Sequence, residues 1–105
     1  MKIRVFLSTR SKGYDAKGIL NEKSIVVLKG SRIKTGDPIN YRFSPAVVNA
    51  WNDRSVVGKD GIILQDIAFK SATAAAQFVT KNSVNGWKAW KTEDGDLIKT
   101  VKKGD

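Results

Sequence analysis

The sequence contains neither cysteine nor histidine. Without thiols it forms no disulfide and offers no thiolate, and without imidazole it lacks the commonest metal ligand and general base. Acidic side chains are scarce, ten against nineteen lysines and arginines, for a net charge of +9. Long apolar runs are missing too. The longest, Ile25 to Leu28, falls far short of the roughly 20 residues that cross a bilayer. The start has no charged-then-apolar leader pattern, because Lys2 and Arg4 sit inside a strand-like alternation, so the cytoplasm is the expected compartment.

What is present suits one soluble domain over residues 1–105, with 102–105 as a frayed tail. The composition, 41 % hydrophobic and 28 % charged, is ordinary for a folded chain of this length. The charge is unevenly spread. Residues 1–35 carry nine basic and two acidic groups, 36–69 three and four, and 70–105 seven and four. A surplus of this size implies an anionic partner or strong self-repulsion.

Lys2 to Thr9 alternates, with Ile3, Val5 and Leu7 on one side and Lys2, Arg4 and Phe6 on the other, which predicts a half-buried strand. Tyr14 to Leu20 predicts a second strand, with a bulge or a close backbone approach at Gly18. Ile25 to Leu28, apolar on both faces, predicts an internal third strand, and the short connections predict an antiparallel meander. Lys29 to Phe43 reads as a loop. Ser44-Pro45 then opens a helix with Val47, Val48 and Trp51 on its buried arc. Ile62 to Leu64 reads as a brief strand, and Asp66 to Phe69 as the lead into a second helix. Asp94-Gly95 predicts a hairpin between Trp87–Lys91 and Leu97–Val101. The expected class is α+β: an antiparallel sheet of about five or six strands with two short helices packed on it.

Lys70 to Lys91 is the most informative stretch. Ser71 can cap a helix whose Ala72, Ala75, Ala76, Phe78 and Val79 share a broad face, while Thr73, Gln77 and Thr80 share another. Asn85-Gly86 is a turn signal, followed by a strand with Trp87 and Trp90 between lysines. The run Phe69 to Ala76, then Val79, then Ser83-Val84-Asn85-Gly86-Trp87-Lys88-Ala89-Trp90-Lys91 resembles domain-of-unknown-function family 4357. That family occurs alone or appended to GIY-YIG endonucleases and other restriction or repair proteins, and is related to the RAMA domain of restriction enzymes and adenine methylases. Asp15-Ala16-Lys17-Gly18 and Ile25-Val26-Val27-Leu28-Lys29-Gly30-Ser31 are similar to further elements of the family. The resemblance implies a DNA-associated accessory module beside a nuclease or methylase. No GIY-YIG motif is present, so that activity does not carry over.

Each candidate site has a plain structural alternative. Asn85, Trp87, Lys88, Trp90 and Lys91 either contact nucleic acid, through stacking, phosphate pairing and an amide on a base edge, or serve a turn and fill the core. Lys70, Ser71 and Thr73 at a helix start either meet a phosphate or simply cap. Lys81 is read in the same way. Lys29, Arg32 and Lys34 lack the spacing of a phosphate-binding loop and make at most a basic rim. Lys12, Lys17 and Lys23 read as solvated strand edges. Glu93-Asp94-Gly95-Asp96 is explained by turn formation without a cation. No cofactor or metal site is expected.

The leading expectation is therefore a non-enzymatic nucleic-acid-binding accessory module, DNA first and RNA as a variant. The alternative is a scaffold whose basic face meets an acidic subunit. A hydrolase ranks last, because no general base with a partner is visible.

Overall fold

Alternation builds the sheet. In the computed structural model, which describes residues 2–9, 13–21, 24–36 and 42–98, β1 (Ile3–Thr9) and β2 (Tyr14–Leu20) pair antiparallel from Ile3 opposite Leu20 to Thr9 opposite Tyr14. This register puts Val5, Leu7, Ala16 and Leu20 on the buried face. Arg4, Ser8 and Lys17 are exposed on the other face, with Phe6 and Ile19 half-buried among them. β3 (Ile25–Val27) pairs with β2 and completes the expected meander.

Two further strands close the sheet. β4 (Ile67–Phe69) pairs with β3, and β5 (Lys91–Thr92) pairs with β1 opposite Val5 and Phe6. The order is β4-β3-β2-β1-β5, antiparallel throughout, so the fold is α+β. The segment expected to lead into the second helix thus contains a strand, because the internal β3 needs a mate on its second side. Ile62 to Leu64, expected to be a strand, makes only isolated bridges, Ile62 to Arg32 and Ile63 to Val57.

α1 (Pro45–Asn52) and α2 (Ala72–Thr80) are the two expected helices, and α3 (Gly86–Ala89) is an unexpected four-residue one. α2 buries Ala72, Ala75, Ala76, Phe78 and Val79, the face its spacing predicts. Phe78 meets Phe69 of the sheet at 5.0 Å between ring centroids. Thr80, grouped with the polar residues, is buried instead. Its hydroxyl satisfies itself by donating to the Ala76 carbonyl at 2.9 Å. α1 buries Val47 and Ala50 rather than Val48, which is 38 % exposed. The helix docks through a narrow arc, and Val48 lies about 100° round from Val47, just outside it. Trp51 ties α1 to α2, its indole N–H donating to the Phe78 carbonyl at 2.8 Å.

The predicted turn-then-strand at Asn85 to Lys91 is a correction. The Asn85 side chain accepts the Trp87 amide hydrogen at 3.0 Å, so Asn85 is a helix N-cap. Gly86 is not in the left-handed region. Its value is closeness, since a Cβ there would lie 2.1 Å from the Ala72 carbonyl carbon and oxygen. The chain becomes extended only at Trp90, and the paired strand begins at Lys91. The Asp94-Gly95 turn is as expected: Gly95 has φ +86°, the Thr92 amide donates to the Asp96 carbonyl at 2.8 Å, and Lys91 bridges Leu97. The remainder of the last predicted strand, the tail at 102–105, Lys12 and Lys23 lie outside the described residues.

The expected loop after β3 is partly built into the core. Ser31 and Ile33 are buried. The Ser31 hydroxyl donates to the Lys17 carbonyl and accepts its amide hydrogen. The residues at 37–41 lie outside the description.

Candidate functional site

Trp90 decides what the C-terminal unit is. Its side chain is completely buried, the largest in the core, and its indole N–H donates to the Ala72 carbonyl at 3.1 Å. Gly18 has no side chain beneath it, so a Cβ there would stand 3.5 Å from the indole and 2.8 Å from the Val26 carbonyl oxygen. The close approach expected at Gly18 is therefore real, and the ladder runs through it in continuous register. Sealed in this way, Trp90 cannot stack on a base, and its structural alternative is the correct one. Trp87 is half-buried and packs against the same core.

The other residues of the helix start are also committed to the fold. Ser71 Oγ accepts the Ala74 amide hydrogen at 3.1 Å, a plain cap. Thr73 Oγ1 accepts the Gly86 amide hydrogen at 3.1 Å and holds α3 to α2. Asn85 is exposed, with its side-chain oxygen occupied by the cap.

The basic residues do not form one surface. Lys70 is exposed at the start of α2, whereas Lys81 is at its far end, about 14 Å along a nine-residue helix. Lys81 adopts the left-handed conformation at φ +54°, and its Nζ donates to the Gly36 carbonyl at 2.7 Å and sits 5.7 Å from the Trp51 ring centroid. Lys34, half-buried, reaches the same end of α2 through its amide, which donates to the Val79 carbonyl. Lys29 is exposed on a turn anchored by its amide to the Asp66 carboxylate at 2.7 Å. Arg32 is exposed, its backbone exchanging two hydrogen bonds with Asp15.

Lys88 and Lys91 do converge. Both are exposed and line a cleft of about 690 Å³ at the edge of β1, where β5 stops. Phe6 and Tyr14 line it with them, and Glu93 supplies a single carboxylate. Lys91 faces outward because its neighbour Trp90 faces inward. Thr92, also at the cleft, has a buried hydroxyl with no hydrogen-bond partner among the described residues. Burial pushes the Tyr14 phenol above its usual value, because the ionised form is poorly solvated there. Its neutral form is thus favoured by folding, and the associated stability is lost as pH rises past the ordinary phenol range, near 10. An absorbance titration should show Tyr14 ionising late, and Tyr14→Phe should blunt the alkaline loss of stability.

Phe6, which lines this cleft, was not singled out in the sequence, and Lys17, outside the cleft, was read there only as a solvated strand edge. Phe6 and Lys17 stand opposite each other across β1 and β2, and Phe6 stands opposite Lys91 across β1 and β5. The signal for Phe6 was available: an aromatic on the charged side of an alternating strand. A second hollow, of about 600 Å³, is lined by Trp51, Arg54, Lys59 and Leu64 among others, and holds none of the predicted site residues. Among the described residues, no group of three acidic side chains is placed to hold a metal ion, and no helix is long and apolar enough to cross a membrane.

A family model described as a domain of unknown function, DUF4357, matches residues 6–102. The chain belongs to the DUF4357 family. No curated protein and no solved structure matches it. The two blocks that resemble the family meet inside this DUF4357 domain, where Trp90 lies over Gly18 and bonds to Ala72.

Proposed function

We propose that this DUF4357 domain is a non-enzymatic accessory module that binds nucleic acid, DNA first, and works in the cytoplasm beside a nuclease or methylase that supplies the chemistry. The observation carrying this reading is the convergence of Lys88 and Lys91 with Phe6 and Tyr14 around one cleft. Paired cations answer phosphates, and an apolar aromatic lining answers sugar or base. The net charge of +9 supplies the longer-range attraction. The non-enzymatic part rests on the inventory: a chain without histidine or cysteine has few ways to move a proton near neutral pH.

The test is an anisotropy titration with duplex DNA at a series of salt concentrations. Each lysine that meets a phosphate contributes about 0.9 to the slope of log affinity against log salt. The double variant Lys88→Ala/Lys91→Ala should lower that slope by about 2. Lys70→Ala/Lys81→Ala, at the two ends of α2, should lower it much less. Binding insensitive to salt, or equal losses from both pairs, would overturn this assignment.

A further inference from the structure

One face of the sheet is covered by α2 and the core, and the other carries an ordered pattern. Its cross-strand rows follow from the register. Lys17, Phe6 and Lys91 form one row across β2, β1 and β5. Arg4, Ile19, Val26 and Ala68 form the next, across β1, β2, β3 and β4. Lys17, Arg4 and Lys91 are exposed, while Phe6, Ile19 and Val26 are half-buried. The face is therefore a shallow apolar strip with cations beside it, and an aromatic ring stands between two lysines. With strands about 4.8 Å apart, Lys17 and Lys91 flank Phe6 at about 10 Å from each other.

We propose that this face binds single-stranded DNA, stacking an unpaired base on Phe6 while Lys17, Lys91 and Arg4 meet the flanking phosphates. The proposal rests on the nucleic-acid reading above and names its substrate class. Duplex DNA turns only phosphates and groove edges outward, so a ring on a flat strip meets no base face. A single strand presents π-faces and phosphates together, which is what an aromatic between cations accepts. Deoxyribose is favoured over ribose because Phe6, Ile19 and Val26 offer no partner to a 2′-hydroxyl that would be desolvated against them. A second copy of the chain is disfavoured as occupant, since it would set Arg4, Lys17 and Lys91 against their own kind. Asp15, opposite Ser8, occupies the row on the other side of Phe6 from Arg4, and Glu93 stands near Lys91 at the cleft, so carboxylates are present but fewer than the cations around Phe6.

The test compares a twelve-nucleotide thymidine strand, the matching uridine RNA strand and a twelve-base-pair duplex in anisotropy titrations at two salt concentrations. The DNA single strand should bind most tightly. Phe6→Leu keeps apolar bulk and removes the ring, and should weaken single-strand binding about tenfold, a larger loss than on the duplex. Lys17→Ala, fully on the surface, should lower the single-strand salt slope by about 0.7 even if the Phe6 variant folds poorly. Tighter binding of RNA or duplex, or a Phe6→Leu variant that loses nothing, would overturn the single-stranded DNA assignment alone. No binding to any of the three would overturn the nucleic-acid reading itself. A dimer of the free chain that Phe6→Leu dissolves would give the face to a second copy and equally refute the proposal.

Discussion

Replacing Gly86 with alanine should cost about 3 kcal/mol or more of folding stability, among the largest effects of a single methyl group. The added carbon would stand 2.1 Å from the carbonyl carbon and oxygen of Ala72 and 2.3 Å from the amide nitrogen of Thr73. All three obstacles are backbone atoms in the first turn of α2, so no rotamer change relieves the overlap. Either α3 lifts away or α2 shifts. Lifting α3 breaks the bond from the Gly86 amide to Thr73 Oγ1 and draws Trp90 from its seat. For a domain near 100 residues the melting temperature should fall by on the order of 15 °C. Urea unfolding measures the change directly. A loss below about 1 kcal/mol would show that α3 slides over α2 without resistance, contrary to the packing described.

Trp90→Ala should be comparably damaging, at about 3 to 5 kcal/mol, because a fully buried indole leaves a cavity its neighbours fill only in part. Trp90→Phe separates two contributions. It keeps most of the apolar bulk but leaves the Ala72 carbonyl without the indole N–H, a loss of about 1 to 3 kcal/mol. If Trp90 instead served a ligand, Trp90→Phe would change binding and leave stability intact. Measuring unfolding and DNA affinity on the same sample distinguishes the outcomes, and the structure requires the stability loss.

Periodic elements were legible in the sequence. The alternation in Lys2 to Thr9 and the alanine-rich spacing of α2 each specify one buried face, and those faces are the ones observed. What could not be read locally depends on partners distant in the chain. Asn-Gly serves a turn or a helix cap equally well, and only the proximity of Ala72 to Gly86 shows which is needed here. β4 is three residues long, too short for alternation to register, and exists because β3 has a second edge to satisfy.

The candidate site was legible in a different way. Lys88 and Lys91 stood out through their neighbours, and they do share a cleft. Trp90, the most conspicuous residue between them, drew attention for a chemical property it cannot exercise from inside the core. Phe6 and Lys17 were visible but looked ordinary, because their conjunction depends on strand register. The elements that carry the family resemblance, Ala16 to Gly18, Ser31, Ser71, Thr73, Asn85-Gly86 and Trp90, are explained here mainly by how two helices and a sheet fit together.

The brevity of the outer strands also bears on how the molecule behaves in company. β4 has three residues and β5 has two, so these outermost strands themselves offer a stranger's backbone little ladder to extend, while β1 runs on past β5 from Leu7 to Thr9. Growth by edge-to-edge pairing, the usual hazard of a sheet with a partly greasy outer side, is curtailed along β4 and β5. Lysines beside that side add mutual repulsion between copies. The architecture thereby keeps a sticky surface exposed while denying it the simplest route into fibres.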